Sequence, residues 1–484
     1  MTATQTSPVR SFDSLFIGGR WVSPSSDAVI EVINPITEEV IATVPDAQDA
    51  DMDAAVAAAR EAFDHGPWPR MTPAERAEAI GRIADELHAR ADELALVFAE
   101  EVGASKAFAT LIQAGAETKL RDATTFHERF ELETEVPIAG NRGRITHEPV
   151  GVVAAVIPWN GPVTTLAGKL APSLAAGCTV VVKPAPDAPV GTMIFAEAIE
   201  AAGLPEGVVS ILPGGREVGE HLVSNPDVDK VTFTGSTAAG KRIMSICSER
   251  IARVTLELGG KSAAIIADDI PFDQMLSGMV AAGIGHSGQV CAALTRVLVP
   301  RHRQQELLDA LVPVIESMTV GDPREEGVVI GPLVAERQRE RVEGYIEIGR
   351  QEGARVVIGG GRPAGLDRGY FVEPTVFADV TNDMRIAQEE IFGPVLCVIP
   401  FDDVEEAIAI ANDSSYGLSG AVYAQDTELA ERIARRIRTG QISINTWSLC
   451  PGTPFGGFKQ SGLGREGGVE GYAGYLETKV IQYG

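Results

Sequence analysis

The chain has 484 residues, 45% hydrophobic and 22% charged, the make-up of a globular protein of roughly three units of about 150 residues each. Its formal net charge of −26 disfavours nucleic acid and anionic membranes as partners, because phosphate groups are bound mainly through Lys and Arg. No run approaches the roughly 18 apolar residues of a membrane span, and Met1–Arg10 has no apolar signal core, so no membrane association and a cytoplasmic location are expected.

In chain order, the opening residues read as a loose tail. Leu15–Val22, with a turn or bulge at Gly18-Gly19, and Ala28–Ile33 read as short strands. Asp49–Phe63 carries Ala and Val at helical spacing. Thr72-Pro73-Ala74-Glu75 combines an N-cap, a first-turn proline and a capping-box acid; it predicts a helix to about Glu101, and another covers Lys106–Arg129. Glu131–Glu148, around Pro137 and Asn141-Arg142-Gly143, has the signature of a hairpin. A hairpin alone is marginal in water, so it is expected to pack on something else, such as another subunit.

From Gly151 the rhythm is strand then helix. Val152–Ile157, Cys178–Val182, Val208–Leu212, Lys230–Thr234 and Arg253–Leu258 are strands separated by helices. Continuous apolar strands of this kind build a parallel sheet covered on both faces, which binds ligands at its carboxyl ends. After Gly259 the pattern restarts, with strands at Ala263–Ile266, Thr295–Val299, Arg355–Ile358, Thr375–Ala378 and Val395–Phe401. A second α/β domain follows.

Five cysteines, widely spaced and without C-x-x-C, argue against a disulfide framework. The seven histidines form no H-E-x-x-H pattern, so no catalytic metal is expected. One cysteine stands apart, although a lone cysteine is more often a small buried hydrophobe than a nucleophile. Gly285-His286-Ser287-Gly288-Gln289-Val290-Cys291 follows a helical run and is rich in residues that permit an exposed backbone. Backbone N–H groups there would lower the Cys291 thiol pKa and hold an oxyanion. Thirty-four positions earlier, Glu257 ends an apolar strand, where it is either a poorly solvated carboxylate whose raised pKa suits a general base or a Glu paired with a Lys or Arg at a strand terminus. Asn160, in Pro158-Trp159-Asn160-Gly161-Pro162, is either a neutral oxyanion donor or an ordinary turn residue. Gly235-Ser236-Thr237-Ala238-Ala239-Gly240-Lys241-Arg242 nearly matches a P-loop. Arg242, however, stands where a Mg²⁺-binding hydroxyl is required. What remains is a strand-to-helix turn suited to a pyrophosphate, or a tight turn that binds nothing. Lys183, at a strand end, is either a second cofactor contact or a solvated loop lysine.

Together, Pro158-Trp159-Asn160, Lys183-Pro184-Ala185, Phe233–Thr237, Leu256–Ser262, Gly288–Cys291, Glu389–Pro394 and Pro454–Lys459 resemble the NAD(P)-dependent aldehyde dehydrogenase superfamily from about Phe16 to Lys479. The resemblance implies an α/β, aldehyde-dehydrogenase-like fold. Its Rossmann-like cofactor domain would span 1–130 and 150–258, and its α/β catalytic domain 259–458. A β-hairpin oligomerisation element would take 131–149 with the tail 467–484, giving a dimer or tetramer.

It also implies roles. Cys291 would attack the aldehyde, Asn160 and the Cys291 N–H would hold the oxyanion, and Glu257 would activate the hydrolytic water. Lys169 and Glu466 match positions of proton relay or of positioning near that base. Lys183 would contact the adenosine ribose, Gly235, Ser236 and Gly240 would flank the pyrophosphate, and Glu390 and Phe392 would hold the nicotinamide ribose and flank the ring. Ile157, Pro158, Trp159, Gly215, Phe233 and Leu258 complete the expected cofactor cleft. Pro186 replaces an acid that, in many NAD-preferring members, repels a 2′-phosphate, so NADP is not excluded. No added cation nearby favours NADP either, and NAD is the expected cofactor. Gly161, Thr165 and Gly168, facing Trp447, Leu449, Cys450 and Phe455, suggest a roomy apolar tunnel for a medium-to-bulky aldehyde, aliphatic, terpenoid or aromatic. His286, at a position where many members have Asn, is not expected to take part in chemistry. The alternatives are a CoA-acylating relative, which commonly lacks a base at Glu257, a catalytically silent relative, and an NTPase, which Arg242 disfavours.

Overall fold

The computed structural model describes residues 9–138, 140–448 and 452–484. The apolar runs Val152–Val156 and Thr179–Lys183 are buried along almost their whole length, so they lie inside a sheet with helices on both faces. Across that sheet the parallel strands run Val209–Ile211, Thr179–Lys183, Val152–Val156, Lys230–Thr234, Arg253–Glu257. In chain order this is 3-2-1-4-5, the doubly wound order of nucleotide-binding sheets. The order reverses between Val152–Val156 and Lys230–Thr234, and the crevice at their carboxyl ends is where such sheets bind ligands. Gly18 and Gly19, at φ of 60° and 85°, turn the predicted first strand into the edge hairpin Leu15–Ile17/Arg20–Val22. At the opposite edge Gly462–Leu463 pairs antiparallel with Leu256 and Glu257.

A second sheet has the order Arg355–Ile358, Thr375–Ala378, Val395–Phe401, Arg296–Pro300, Ala263–Ile266, Gly420–Tyr423, Ser443–Ile444. It too is wound outward from its first strand, Ala263–Ile266. A third sheet joins the hairpin Glu133–Ile138/Asn141–Pro149 to the tail strand Leu476–Gln482, which pairs with Asn141–Pro149 along seven residues.

Two helices differ from the sequence reading. The expected helix from Thr72 breaks into Pro73–His88 and Ala91–Val102. The Arg90 guanidinium caps the first at the Glu86 carbonyl, while Asp92 and Glu93 favour a new N-terminus. Lys106–Arg129 likewise divides into Lys106–Ala123 and the single turn Phe126–Arg129. Val40–Pro45, pairing with Val29–Ile33, and Gly420–Tyr423, between Ala263–Ile266 and Ser443–Ile444 in the second sheet, are additional strands. Among the described residues no helix is long and apolar enough to cross a membrane.

Candidate active site

Cys291 is carried by an unusual turn. His286, Ser287 and Gly288 occupy left-handed conformations in succession, with φ of 52°, 54° and 69°. Such strain persists only where the surroundings over-determine it. Here the His286 ring is buried and stacked 4.6 Å from Phe108, the Ser287 hydroxyl donates to the Gly331 carbonyl, and Gln289 Oε1 accepts from the Val334 N–H. The expected exposed, permissive approach is therefore a buried, fixed one. Cys291 itself is partly accessible, whereas Cys178, Cys247 and Cys397 are buried.

The electrostatics of the thiol also run opposite to expectation. Burial, then the Glu390 and Glu257 carboxylates, push its pKa up to about 12, and the backbone N–H groups of Ala292 and Cys291 oppose this only in part. Negative neighbours disfavour a thiolate, so a cation beside Cys291 would be needed to free it.

Asn160 follows the strand Val152–Val156, and its Nδ2 donates to the Gln289 carbonyl at 2.9 Å. That bond ties the strand end to the cysteine turn. An amide nitrogen has two donors, so one N–H remains for an oxyanion. Glu257 ends its strand, is almost wholly buried, and has both carboxylate oxygens without a partner. Burial, reinforced by Glu466, raises its pKa well above the usual carboxylate range, against the pull of Lys169, Arg465 and Lys119. The carboxylate has room only because position 456 is glycine: a Cβ there would lie 2.7 Å from Glu257 Oε1. Lys169 is fully buried, and its ammonium pairs with Glu466 and donates to Thr232 Oγ1 at 3.2 Å. Glu466 is locked to Phe455 by two backbone bonds of 2.6 and 2.7 Å.

Ser461, which the sequence did not suggest, staples the base strand. Its carbonyl accepts from the Leu258 N–H, and its hydroxyl donates to the Gly259 carbonyl while accepting from the Gly417 N–H. Glu390 accepts the Gly260 N–H at 2.9 Å, which pulls its carboxyl pKa down against the larger effect of burial, a net rise. Trp159 and Phe392 meet edge to face at 5.5 Å.

The residues expected to hold a dinucleotide line the first sheet's carboxyl edge. Ile157 donates its N–H to the Lys183 carbonyl, and Pro158 leads into Trp159. Lys183, lowered to about 8 by burial, donates to the Pro184 and Gly214 carbonyls. Gly215 caps the helix Arg216–Ser224. Phe233 packs beneath Gly235, and Leu258 against Gly240. The turn is less open than its sequence implied. The Gly235 N–H already donates to the Glu257 carbonyl, and Ser236 Oγ caps the helix Thr237–Ser248 at the Ala239 N–H. Thr234 Oγ1, just before the turn, is buried without a partner, an orphan that fits a polar cofactor group. The neighbourhood of Pro186 does contain a cation, contrary to expectation: Arg337, distant in sequence, pairs with Asp187 at 2.7 Å.

On the substrate side, Gly161 caps the helix Pro162–Ala176, Thr165 donates to the Gly161 carbonyl, and Gly168 is buried. The space over Gly168 is not an apolar void. Lys119, from the helix Lys106–Ala123, places its ammonium 3.1 Å from where a Gly168 Cβ would stand and donates to the Thr164 carbonyl at 3.1 Å. Trp447 is half-buried against the second domain's core. Leu449 and Cys450 lie outside the described residues.

Residues 21–481 match the aldehyde dehydrogenase family. The chain belongs to that family. Its aldehyde dehydrogenase fold is similar to a Mycobacterium tuberculosis aldehyde dehydrogenase complexed with NAD+, with a TM-score of 0.97 and 46% identity over 98% of this chain and 99% of that one. It is also similar to a cysteine-to-alanine variant of aldehyde dehydrogenase C from Pseudomonas syringae complexed with NAD+ and octanal (TM-score 0.94, 42% identity, 99% of this chain and 97% of that one). In sequence it is 43% identical to a geranial dehydrogenase of Castellaniella defragrans over 469 residues, covering 96% of this chain and 98% of that protein.

Proposed function

We propose that this aldehyde dehydrogenase oxidises a medium-to-bulky aldehyde, aliphatic, terpenoid or aromatic, to the carboxylic acid with NAD. The Glu257 carboxylate takes the Cys291 thiol proton and passes it to solvent, Sγ adds to the aldehyde carbon, and the resulting oxyanion is held by the free Asn160 N–H and the Cys291 N–H. NAD, when bound, accepts the hydride that this carbon gives up, which leaves a thioester on Sγ. Glu257 takes a proton from water, the water oxygen adds to the thioester carbon, and the thiolate leaves with the acid released. Lys169, paired with Glu466, stabilises the charge of the base's neighbour. Lys183, Gly235, Ser236 and Gly240 hold the adenosine ribose and pyrophosphate, and Glu390 with Phe392 holds the nicotinamide end. With no acid at Pro186 and Asp187 paired to Arg337, charge at this position does not choose between the cofactors, and NAD is assigned from similarity to NAD+ complexes.

The observation that carries the reading is Glu257: a buried carboxylate with two unpartnered oxygens and a raised pKa, electrostatically coupled to an accessible cysteine. A CoA-acylating enzyme has no need of such a base. The substrate class is supported by similarity to a geranial dehydrogenase and to an octanal complex. The exposed Val480 and Ile481 on the tail strand support a homodimer or homotetramer built through the third sheet, which light scattering tests.

The deciding experiment incubates the protein with octanal and NAD, with and without CoA. The free acid is expected in both, together with NADH. An acyl-CoA product, or no turnover until CoA is added, overturns the hydrolytic reading. Cys291→Ala is expected to abolish NADH formation while NAD still binds, and Glu257→Gln to accumulate the acyl-enzyme, seen as added mass on Cys291.

A further inference from the structure

The substrate side of this site contains a cation that the proposed reaction does not use. Lys119 lies about one turn before the end of the helix Lys106–Ala123, which packs against Pro162–Ala176, the helix that begins directly after Asn160 and Gly161. Two glycines allow the approach. A Cβ at Gly115, one turn before Lys119, would lie 3.7 Å from Thr164 Oγ1, and one at Gly168 would lie 3.1 Å from Lys119 Nζ and 3.4 Å from its Cδ.

The ammonium donates to the Thr164 carbonyl, and no described ion pair includes it. An ammonium has three donors, so two remain. The side chain is open to solvent, yet burial lowers its pKa, with Glu466, Lys169, Cys291 and Glu257 the charges it senses. Exposed to solvent, yet sensing the charges of Cys291 and Glu257, Lys119 stands between the protein surface and the reacting groups. Lys169 there is already paired with Glu466, and Arg465, also near Glu257, donates to the Gly457 and Gly464 carbonyls. A cation in such a place without a counter-ion favours an anionic ligand, because a charge-assisted hydrogen bond is worth roughly twice a neutral one.

We propose that Lys119 is a specificity-determining residue whose ammonium binds a carboxylate carried by the aldehyde substrate at the end remote from its carbonyl. The inference rests on the aldehyde-oxidising reading above. Through the Thr164 carbonyl, Lys119 meets the first turn of the helix that begins directly after Asn160 and Gly161. A short, rigid aldehyde with a carboxylate para to its carbonyl is therefore the shape that tests whether one substrate engages both Lys119 and the Cys291–Asn160 pair.

The test compares 4-carboxybenzaldehyde with 4-methylbenzaldehyde, which share shape and differ in charge. The wild-type protein, Lys119→Met and Lys119→Arg are assayed by NADH formation, with KM and kcat determined separately. The wild type is expected to prefer the carboxylate. Lys119→Met is expected to lower the carboxylate-to-methyl ratio of kcat/KM by about ten- to a hundred-fold, chiefly through KM, which is the loss of one hydrogen bond to a charged group. Lys119→Arg keeps most of the preference. Competitive inhibition of the wild type by benzene-1,4-dicarboxylate, stronger than by 4-methylbenzoate and weakened by salt, gives a readout that needs no variant to fold. An unchanged ratio in Lys119→Met, or equal inhibition by the two acids, overturns the assignment. NADH formation from neither aldehyde sinks the aldehyde-oxidising reading itself and this inference with it. Turnover of 4-methylbenzaldehyde in preference to the carboxylate sinks only the inference.

Discussion

The floor that carries Cys291 and the proposed substrate wall at Gly161 and Gly168 both depend on glycine, for different reasons. On the floor, glycine lets backbone meet backbone. A Cβ at Gly288 would collide with the Gly393 carbonyl, and one at Gly260 with the Cys291 carbonyl. On the wall, the atoms facing Gly161 and Gly168 are side-chain tips, a Thr164 methyl at 3.2 Å and the Lys119 ammonium at 3.1 Å. A carbonyl in a packed turn has no other place to go, whereas a lysine tip can rotate away. The floor therefore specifies one geometry and the wall tolerates several, a division that suits a common chemistry applied to varied substrates.

The largest expected effect follows at Gly288. Its φ of 69° costs a residue with a Cβ about 1–2 kcal/mol, and the collision adds about 1–3 kcal/mol of overpacking. Gly288→Ala should lower the denaturant midpoint by an amount corresponding to these terms together and abolish NADH formation, because Cys291 and the Gln289 carbonyl move with the turn. A variant of normal stability and activity would show that the floor is no more demanding than the wall.

Next in size is the charge environment that the floor imposes on the thiol. Burial comes first among the causes of its raised pKa, followed by Glu390 and then Glu257. Each carboxylate opposes formation of a second negative charge, so its removal lowers the thiol pKa and increases the thiolate fraction at fixed pH. Alkylation of Cys291 by iodoacetamide at pH 8, read by mass analysis of the peptide, should be faster in Glu257→Gln than in the wild type and faster still in Glu390→Gln. The reverse order, or slower alkylation in either variant, would mean that the carboxylates act on Cys291 by contact rather than by field.

Much of the floor was legible from sequence because its elements are local and strongly patterned. Val152–Val156 and Thr179–Lys183 are unbroken apolar runs, and Glu257, Asn160 and Cys291 stand in or beside short distinctive stretches. Gly420–Tyr423 was not legible, although it pairs with strands on both sides in the second sheet: it follows Ser414-Ser415-Tyr416-Gly417-Leu418-Ser419, where turn residues obscure a four-residue strand. The sign of the thiol's shift was not legible either, since it comes first from the burial of Cys291 in the fold and then from Glu390, about a hundred residues distant in sequence and held by the Gly260 N–H. Lys119 was the least visible. In Gly115-Ala116-Glu117-Thr118-Lys119 it reads as part of a solvated helix face, and only the packing of two helices turns that face toward Gly168. Arg337 beside Asp187 is a second instance. A charge pair or a cation–cavity pairing between distant segments leaves no periodicity to read.

The smallest expected effect is at Gly168, and its sign tests the comparison most sharply. Two terms compete. Alanine gains about 0.8–1.0 kcal/mol over glycine in a helix interior, and Gly168 lies inside the helix Pro162–Ala176. Against this, the new methyl meets Lys119 Nζ at 3.1 Å and its Cδ at 3.4 Å, contacts relieved by rotating a flexible side chain by a few tenths of an ångström at its tip. The helix term wins, so Gly168→Ala should leave the thermal midpoint unchanged or raise it slightly. Because the displaced tip is the ammonium, the same variant should still change the 4-carboxybenzaldehyde-to-4-methylbenzaldehyde ratio, by a smaller factor than Lys119→Met. A marked loss of stability would mean that Lys119 is held in one position by more than the Thr164 carbonyl, and that the wall, like the floor, admits a single arrangement.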